Sequence, residues 1–184
     1  MQGKVFVRTA AALGFAVAVG MGTSPAAAQE NAWAGPYVGA LVGKGWANID
    51  GPPSSGLGWT AGIFGGYNFN TPGNFLIGID ADVEWSGRGT AVYDNPWTSN
   101  VRVRYGYAWN SLFIYGAAGM SMARIGIGGD FATDIGWNIG AGLELRRGPL
   151  IARVEYLYSR FGEIRDIGHS ANLHEVRIGI GIAF

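Results

Sequence analysis

The sequence predicts an all-β fold, an eight-stranded antiparallel transmembrane β-barrel built as an up-and-down meander after a cleaved signal peptide. Three observations predict it. The N-terminus reads as an export signal, a period-two alternation runs from Leu57 to the end, and no later segment holds an apolar run long enough for a membrane helix.

Lys4 and Arg8 precede an apolar run from Ala10 to Val19 that leads into Pro25-Ala26-Ala27-Ala28. Small residues at Ala26 and Ala28 suit a signal peptidase, so residues 1–28 are expected to be a signal peptide and residues 29–184 the outer-membrane barrel. The run is well short of the roughly 20 residues that a helical span needs. Without Lys4 and Arg8 the formal charge is about −2, so nucleic-acid binding has no electrostatic basis. Cysteine is absent, so packing and a hydrogen-bonded ladder must hold the exported chain together.

Strand one, about Gly35 to Trp46, is too rich in glycine for its faces to be assigned. Strand two sets Leu57, Trp59, Ala61, Ile63, Tyr67 and Phe69 against Gly58, Thr60, Gly62, Phe64, Gly66 and Asn68. Strand three opposes Phe75, Ile77, Ile79, Val83 and Trp85 to Asp80, Asp82 and Glu84, and strand four opposes Val101, Val103, Tyr105, Tyr107 and Trp109 to Arg102 and Arg104. Strand five, Leu112 to Arg124, alternates weakly. Strand six carries Trp137 and Leu143 on one face and Glu144 and Arg146 on the other. Strand seven has Val154, Tyr156 and Tyr158 opposite Arg153 and Glu155, and the last strand has Val176, Ile178, Ile180, Ile182 and Phe184 opposite Glu175 and Arg177. A helix would not sort residues in this way.

Tight turns are expected at Asn70–Asn74, Asn110–Ser111 and Arg147–Pro149, and longer connections at about 47–56, 87–99, 125–134 and 161–171. This asymmetry is that of a barrel with one end toward the periplasm and the other outward.

Volume decides which face is inside. An eight-stranded barrel is only wide enough to be filled by side chains or to hold one small ligand, so the bulky apolar face must point out to lipid. The lumen then contains Asp80, Asp82, Glu84, Arg102, Arg104, Glu144, Arg146, Arg153, Glu155, Glu175 and Arg177, which can neutralise one another as a plug. Pairs among Asp80, Asp82, Glu84, Arg102 and Arg104 are the sharpest expectation. Large aromatics gather at strand ends: Tyr67, Phe69, Phe75, Tyr107, Trp109 and Phe184 near the tight turns, and Trp59, Trp85, Trp137, Tyr156 and Tyr158 near the long connections. Such belts suit two membrane interfaces.

Trp33-Ala34-Gly35-Pro36-Tyr37-Val38-Gly39, Gly62-Ile63-Phe64-Gly65-Gly66-Tyr67-Asn68, Gly78-Ile79-Asp80-Ala81-Asp82, Arg153-Val154-Glu155-Tyr156-Leu157-Tyr158 and the segment Glu175 to Phe184 follow one another in an order that resembles the small porin-like outer-membrane β-barrel proteins of Gram-negative bacteria, which share the OmpA-type eight-stranded barrel. The resemblance spans nearly the whole chain after the signal peptide. It implies location in the cell outer membrane and a role for Phe184 as the aromatic signal read by the barrel-assembly machinery. The ending Ile-Ala-Phe departs from many members in lacking a nearby Tyr or Lys.

The function expected is a structural or surface-interaction role as a monomer among outer-membrane lipid and lipopolysaccharide, with no cofactor and no enzymatic activity. Alternatives are a narrow porin, a host-ligand or haem-binding surface using His169 or His174, and a lipid A-modifying enzyme using Ser170 with a histidine. Gly126-Ile127-Gly128-Gly129-Asp130 has no Lys-Ser/Thr and no following helix, so it reads as loop backbone, and Tyr93, Pro96 and Trp97 are expected to form a modest exposed contact.

Overall fold

A computed structural model describes residues 33–49, 55–89, 93–127, 130–162 and 170–184. The expected signal peptide, His169 and the tips of the long connections lie outside the described residues. The strands are β1 (Gly35–Ile49), β2 (Ser55–Asn70), β3 (Phe75–Gly89), β4 (Tyr93–Trp109), β5 (Leu112–Ile127), β6 (Asp130–Arg147), β7 (Leu150–Phe161) and β8 (Ala171–Ala183). Each pairs antiparallel with its sequence neighbours, and β1 pairs with β8, so the sheet closes on itself as a meander. Closure leaves no strand edge open, which is what a sheet in hydrocarbon requires. At the seam the Phe184 amide donates to the Pro36 carbonyl at 2.9 Å, and Pro36 has no amide of its own to leave unpaired.

The register fixes the geometry. From Trp59 the pairing runs through Lys44, Val176, Tyr156, Ala141, Gly116, Tyr105 and Ile77 to Phe69, so one circuit returns to β2 ten positions along the strand. That stagger obliges the strands to tilt, and it keeps inward and outward residues on their own sides all the way round because ten is even.

The tight turns lie where expected. Asn110 (φ 51°) and Gly148 (φ 60°) supply the left-handed backbone there, which asparagine and glycine adopt at least cost. At the other end the strands run further than alternation indicates, with β3 continuing to Gly89 and β4 beginning at Tyr93. Tyr93, Pro96 and Trp97 therefore belong to a strand and not to a loop. Alternation fades there because neither face meets lipid, while backbone pairing continues. Pro96 falls where the register shifts, between Trp97 and Asn95 on one side and Trp97 and Asp94 on the other, so its missing amide interrupts no ladder bond.

The faces of β1, illegible in the sequence, are set by Tyr37 and Leu41 pointing in and Val38 and Val42 pointing out. Glycine on the inner side makes room for rings. A Cβ added at Gly142 would stand 2.5 Å from Tyr115 Cζ, and one at Gly39 would stand 2.5 Å from Phe64 Cζ.

Candidate functional site: the charged lumen and the two lipid-facing belts

The alternation of β3 and β4 places Asp80 directly beside Arg102, and Asp82 beside Asn100. Arg102 bonds Asp80 and Glu155 and lies 2.9 Å from Asp82. Arg177, from the far side of the barrel, bonds Glu84, lies 2.8 Å from Asp82 and reaches Glu155 at 3.0 Å. Lower down, Arg104 bonds Glu144 and donates to Asn68 Oδ1 at 2.7 Å, while Arg153 donates to Glu144 (2.7 Å) and Asp80 (3.0 Å). Five strands, β3, β4, β6, β7 and β8, are thus tied across the lumen. All these groups are buried.

Among the buried charges of the described residues six carboxylates (Asp80, Asp82, Glu84, Glu144, Glu155, Glu175) meet four guanidiniums (Arg102, Arg104, Arg153, Arg177). Neutral donors supply part of the difference: Tyr37 Oη donates to Asp80 at 2.7 Å, Asn100 Nδ2 to Asp82 at 2.6 Å and Thr60 Oγ1 to Glu175 at 2.5 Å. Arg146 is not part of the network. It has the inward parity, but it is the penultimate residue of β6, and its Nε donates to the Gly148 carbonyl at 2.9 Å, so the guanidinium is held at the turn.

Below the ion pairs lies an aromatic layer that period-two reading does not anticipate. The Arg153 guanidinium is 4.2 Å from the Phe64 ring, and that of Arg104 is 4.8 Å from Tyr37 and 4.7 Å from Tyr115. Cation–π attraction lets rings share the cost of burying a guanidinium. Beneath them Trp33, Leu76 and Phe113 close the tight-turn end, the Trp33 indole donating to the Asn110 carbonyl at 3.0 Å. The signal was present: Phe64, Phe113 and Tyr115 sit at inward parity in their strands. Above the ion pairs Ser121 and Asn138 bond one another and Asn100, and Ala47, Ala123, Phe161 and Leu173 are buried toward the long connections.

The outer surface has its own order. At the long-connection end Trp46, Trp59, Trp85, Trp97, Trp137 and His174 stand at one level, and ten positions along the same strands stand Pro36, Phe69, Phe75, Tyr107, Arg147 and Phe184. At about 3.3 Å per residue and a tilt of about 40°, ten positions cover about 25 Å, the height of an apolar band in an outer-membrane barrel. Tyr158 packs edge-on against Trp137 within the upper level, and Tyr156 lies just below it. Tyr67 and Trp109 flank the lower level on β2 and β4. The upper ring draws on seven strands. The lower aromatics are confined to β2, β3 and β4 with Phe184 on the closing strand, and β6 offers Arg147 instead.

His174, a candidate haem ligand, is stacked on Trp46 (5.1 Å, 6° between planes), and its Nδ1 is 2.8 Å from Tyr156 Oη. It faces outward, whereas the next residue, Glu175, faces in. Ser170 immediately precedes β8.

The sequence matches the family model of the outer membrane protein beta-barrel domain over residues 14–184. It is 28% identical over 178 residues to the 25 kDa outer-membrane immunogenic protein of Brucella canis, covering 85% of this chain and 82% of that protein. It is also 27% identical over 169 residues to the 22 kDa outer membrane protein of Rhizobium leguminosarum bv. viciae, covering 83% of this chain and 78% of that one. Among solved structures, Neisserial surface protein A superimposes with a TM-score of 0.63 at 18% identity, covering 81% of this chain and 97% of the other. The attachment invasion locus protein of Yersinia pestis gives 0.53 at 16%, covering 82% and 99%. The chain belongs to the outer-membrane β-barrel domain family and is a protein of the bacterial outer membrane.

Proposed function

We propose that this protein is a non-catalytic, integral structural component of the outer membrane whose lumen is closed to passive flux. The observation that carries the reading is the four-arginine network: Arg102 and Arg177 each engage carboxylates on more than one strand, with the aromatic layer and Trp33 beneath them. Opening a path would separate buried charges, and breaking such a pair costs about 3–5 kcal/mol. Planar-bilayer recording of the refolded protein is expected to show no stable openings. Openings of nanosiemens size would overturn the closed lumen.

Its surroundings in the outer leaflet are lipopolysaccharide. Lys44, Arg124 and Arg160 lie at the level of the upper ring, each directly beside a tryptophan on the next strand (Trp59, Trp97 and Trp137), and the Lys44 ammonium is 5.5 Å from the Trp59 ring. Across the outward positions of the described residues between the two belts no carboxylate occurs. Cations over an apolar band match lipid A, which is phosphate over acyl chains. The non-catalytic reading is supported by the engagement of His174 with Trp46 and Tyr156. A lipid A deacylation assay would oppose it if activity appeared and were lost in Ser170→Ala. Phe184, at the seam, is the proposed mark for the assembly machinery.

A further inference from the structure

We propose that the tight-turn end of the outer surface carries a site for an anionic glycerophospholipid of the periplasm-facing leaflet, with the outward-facing Arg147 receiving its phosphate. The proposal is independent of whether the lumen conducts.

A groove of about 910 Å³ runs down the outside of the barrel across β6, β7, β8 and β1. Its origin is in the side-chain sizes. Ile180 on β8 pairs with Ala40 on one side and Ala152 on the other, so it stands between two small neighbours and is 73% exposed, while Leu145, Leu150 and Ile182 wall the lower part. An apolar channel alone would mean only contact with lipid tails. Here the channel ends on charge. Arg147, exposed and on the outward side of β6, lines its lower end, and Arg146 beside it is held at the turn by its bond to the Gly148 carbonyl.

The position along the membrane normal is the second argument. Arg147 lies ten positions from Trp137, the same interval that separates Trp59 from Phe69, Trp85 from Phe75 and His174 from Phe184 on their strands. Arg147 thus stands in the lower belt, at headgroup height, in the one sector where β5, β6 and β7 supply no aromatic ring. Where β2 to β4 place rings that accept any headgroup, β6 places the guanidinium of Arg147, which selects phosphate by bidentate hydrogen bonds over and above simple charge. Short turns face the periplasm in such barrels, so the leaflet is the one built of glycerophospholipid and not the one built of lipid A.

The test uses the full barrel, refolded in uncharged detergent and shown to be folded by heat-modifiable gel migration. It is incubated with phosphatidylglycerol and phosphatidylcholine of equal chain length, and retained lipid is counted by native mass spectrometry. Wild type is expected to retain phosphatidylglycerol about fivefold over phosphatidylcholine, the factor that one arginine near an anionic headgroup contributes. Arg147→Gln is expected to lose most of that preference, Gly116→Ala, outward on β5, to leave it unchanged, and Lys44→Gln/Arg160→Gln at the opposite end to lose less of it than Arg147→Gln. Arg147→Lys, which keeps the charge without the planar fork, should keep only part of the preference and covers the case of an Arg147→Gln variant that fails to fold. Equal retention by wild type and Arg147→Gln would overturn the proposal. So would loss confined to the Lys44/Arg160 variant, or a preference for lipid A over phosphatidylglycerol that depends on Arg147.

Discussion

The inner and outer faces of the same strands obey opposite rules. Inside, each charged group is described by named partners at fixed distances: Arg177 meets Asp82, Glu84 and Glu155, and no neighbouring residue could take its place. Outside, large side chains such as Ile180, Val154 and Ile139 are about half exposed or more and need only be apolar. Lipid is a solvent, so what matters for an outward residue is its depth, whereas what matters for an inward one is its partner.

That contrast can be broken by substitution, and the largest effect should be inside. Arg102→Ala leaves Asp80, Asp82 and Glu155 short of a cation, and is expected to destabilise the barrel by about 3–5 kcal/mol in reversible unfolding from vesicles. A loss below about 1 kcal/mol would mean that the network is solvated. On the outside, Ile180→Arg, near mid-height of β8, should cost about 2–4 kcal/mol, while Ile182→Arg, two positions nearer the rim, should cost less. Equal costs would remove the depth rule.

Glycine sharpens the comparison at smaller scale. Gly142→Ala drives a methyl group into the Tyr115 ring and is expected to cost about 1–3 kcal/mol, whereas the outward Gly116, whose added Cβ would meet its nearest atom only at 4.0 Å, should tolerate alanine. The smallest effect is spectroscopic. Brominated lipids should quench the exposed Trp59 and Trp137, while Trp33, 5% exposed, should contribute fluorescence that they do not reach.

Much of this was legible before the structure. Asp80, Asp82, Glu84, Arg102 and Arg104 could be placed inside because alternation has a period of two and the lumen volume is bounded. Arg146 shows the limit of parity: it has the same sign and phase as Arg104, but lies at the mouth, where the turn carbonyl captures it. The strand ends beyond Trp97 and Trp85 escaped for a related reason, since hydrophobic alternation reports lipid contact and falls silent once the ladder leaves the membrane. The aromatic layer is not legible in the same way, because Tyr37 lies on a strand whose faces glycine leaves open, Tyr115 on one that alternates weakly, and Phe64 stands singly among small and polar residues.

The amino-acid order by itself determined the strands, the inward and outward faces of all but β1, and the short turns, because these depend on residues near one another in the chain and on the size of the cavity they can surround. Only the tertiary structure decided that Arg102 meets Glu155 and Arg177 meets Glu84, that the circuit closes with a stagger of ten, and that Arg147 falls in a gap of the lower belt. Those relations join strands far apart in sequence, and the register that aligns them is set only when β1 closes on β8.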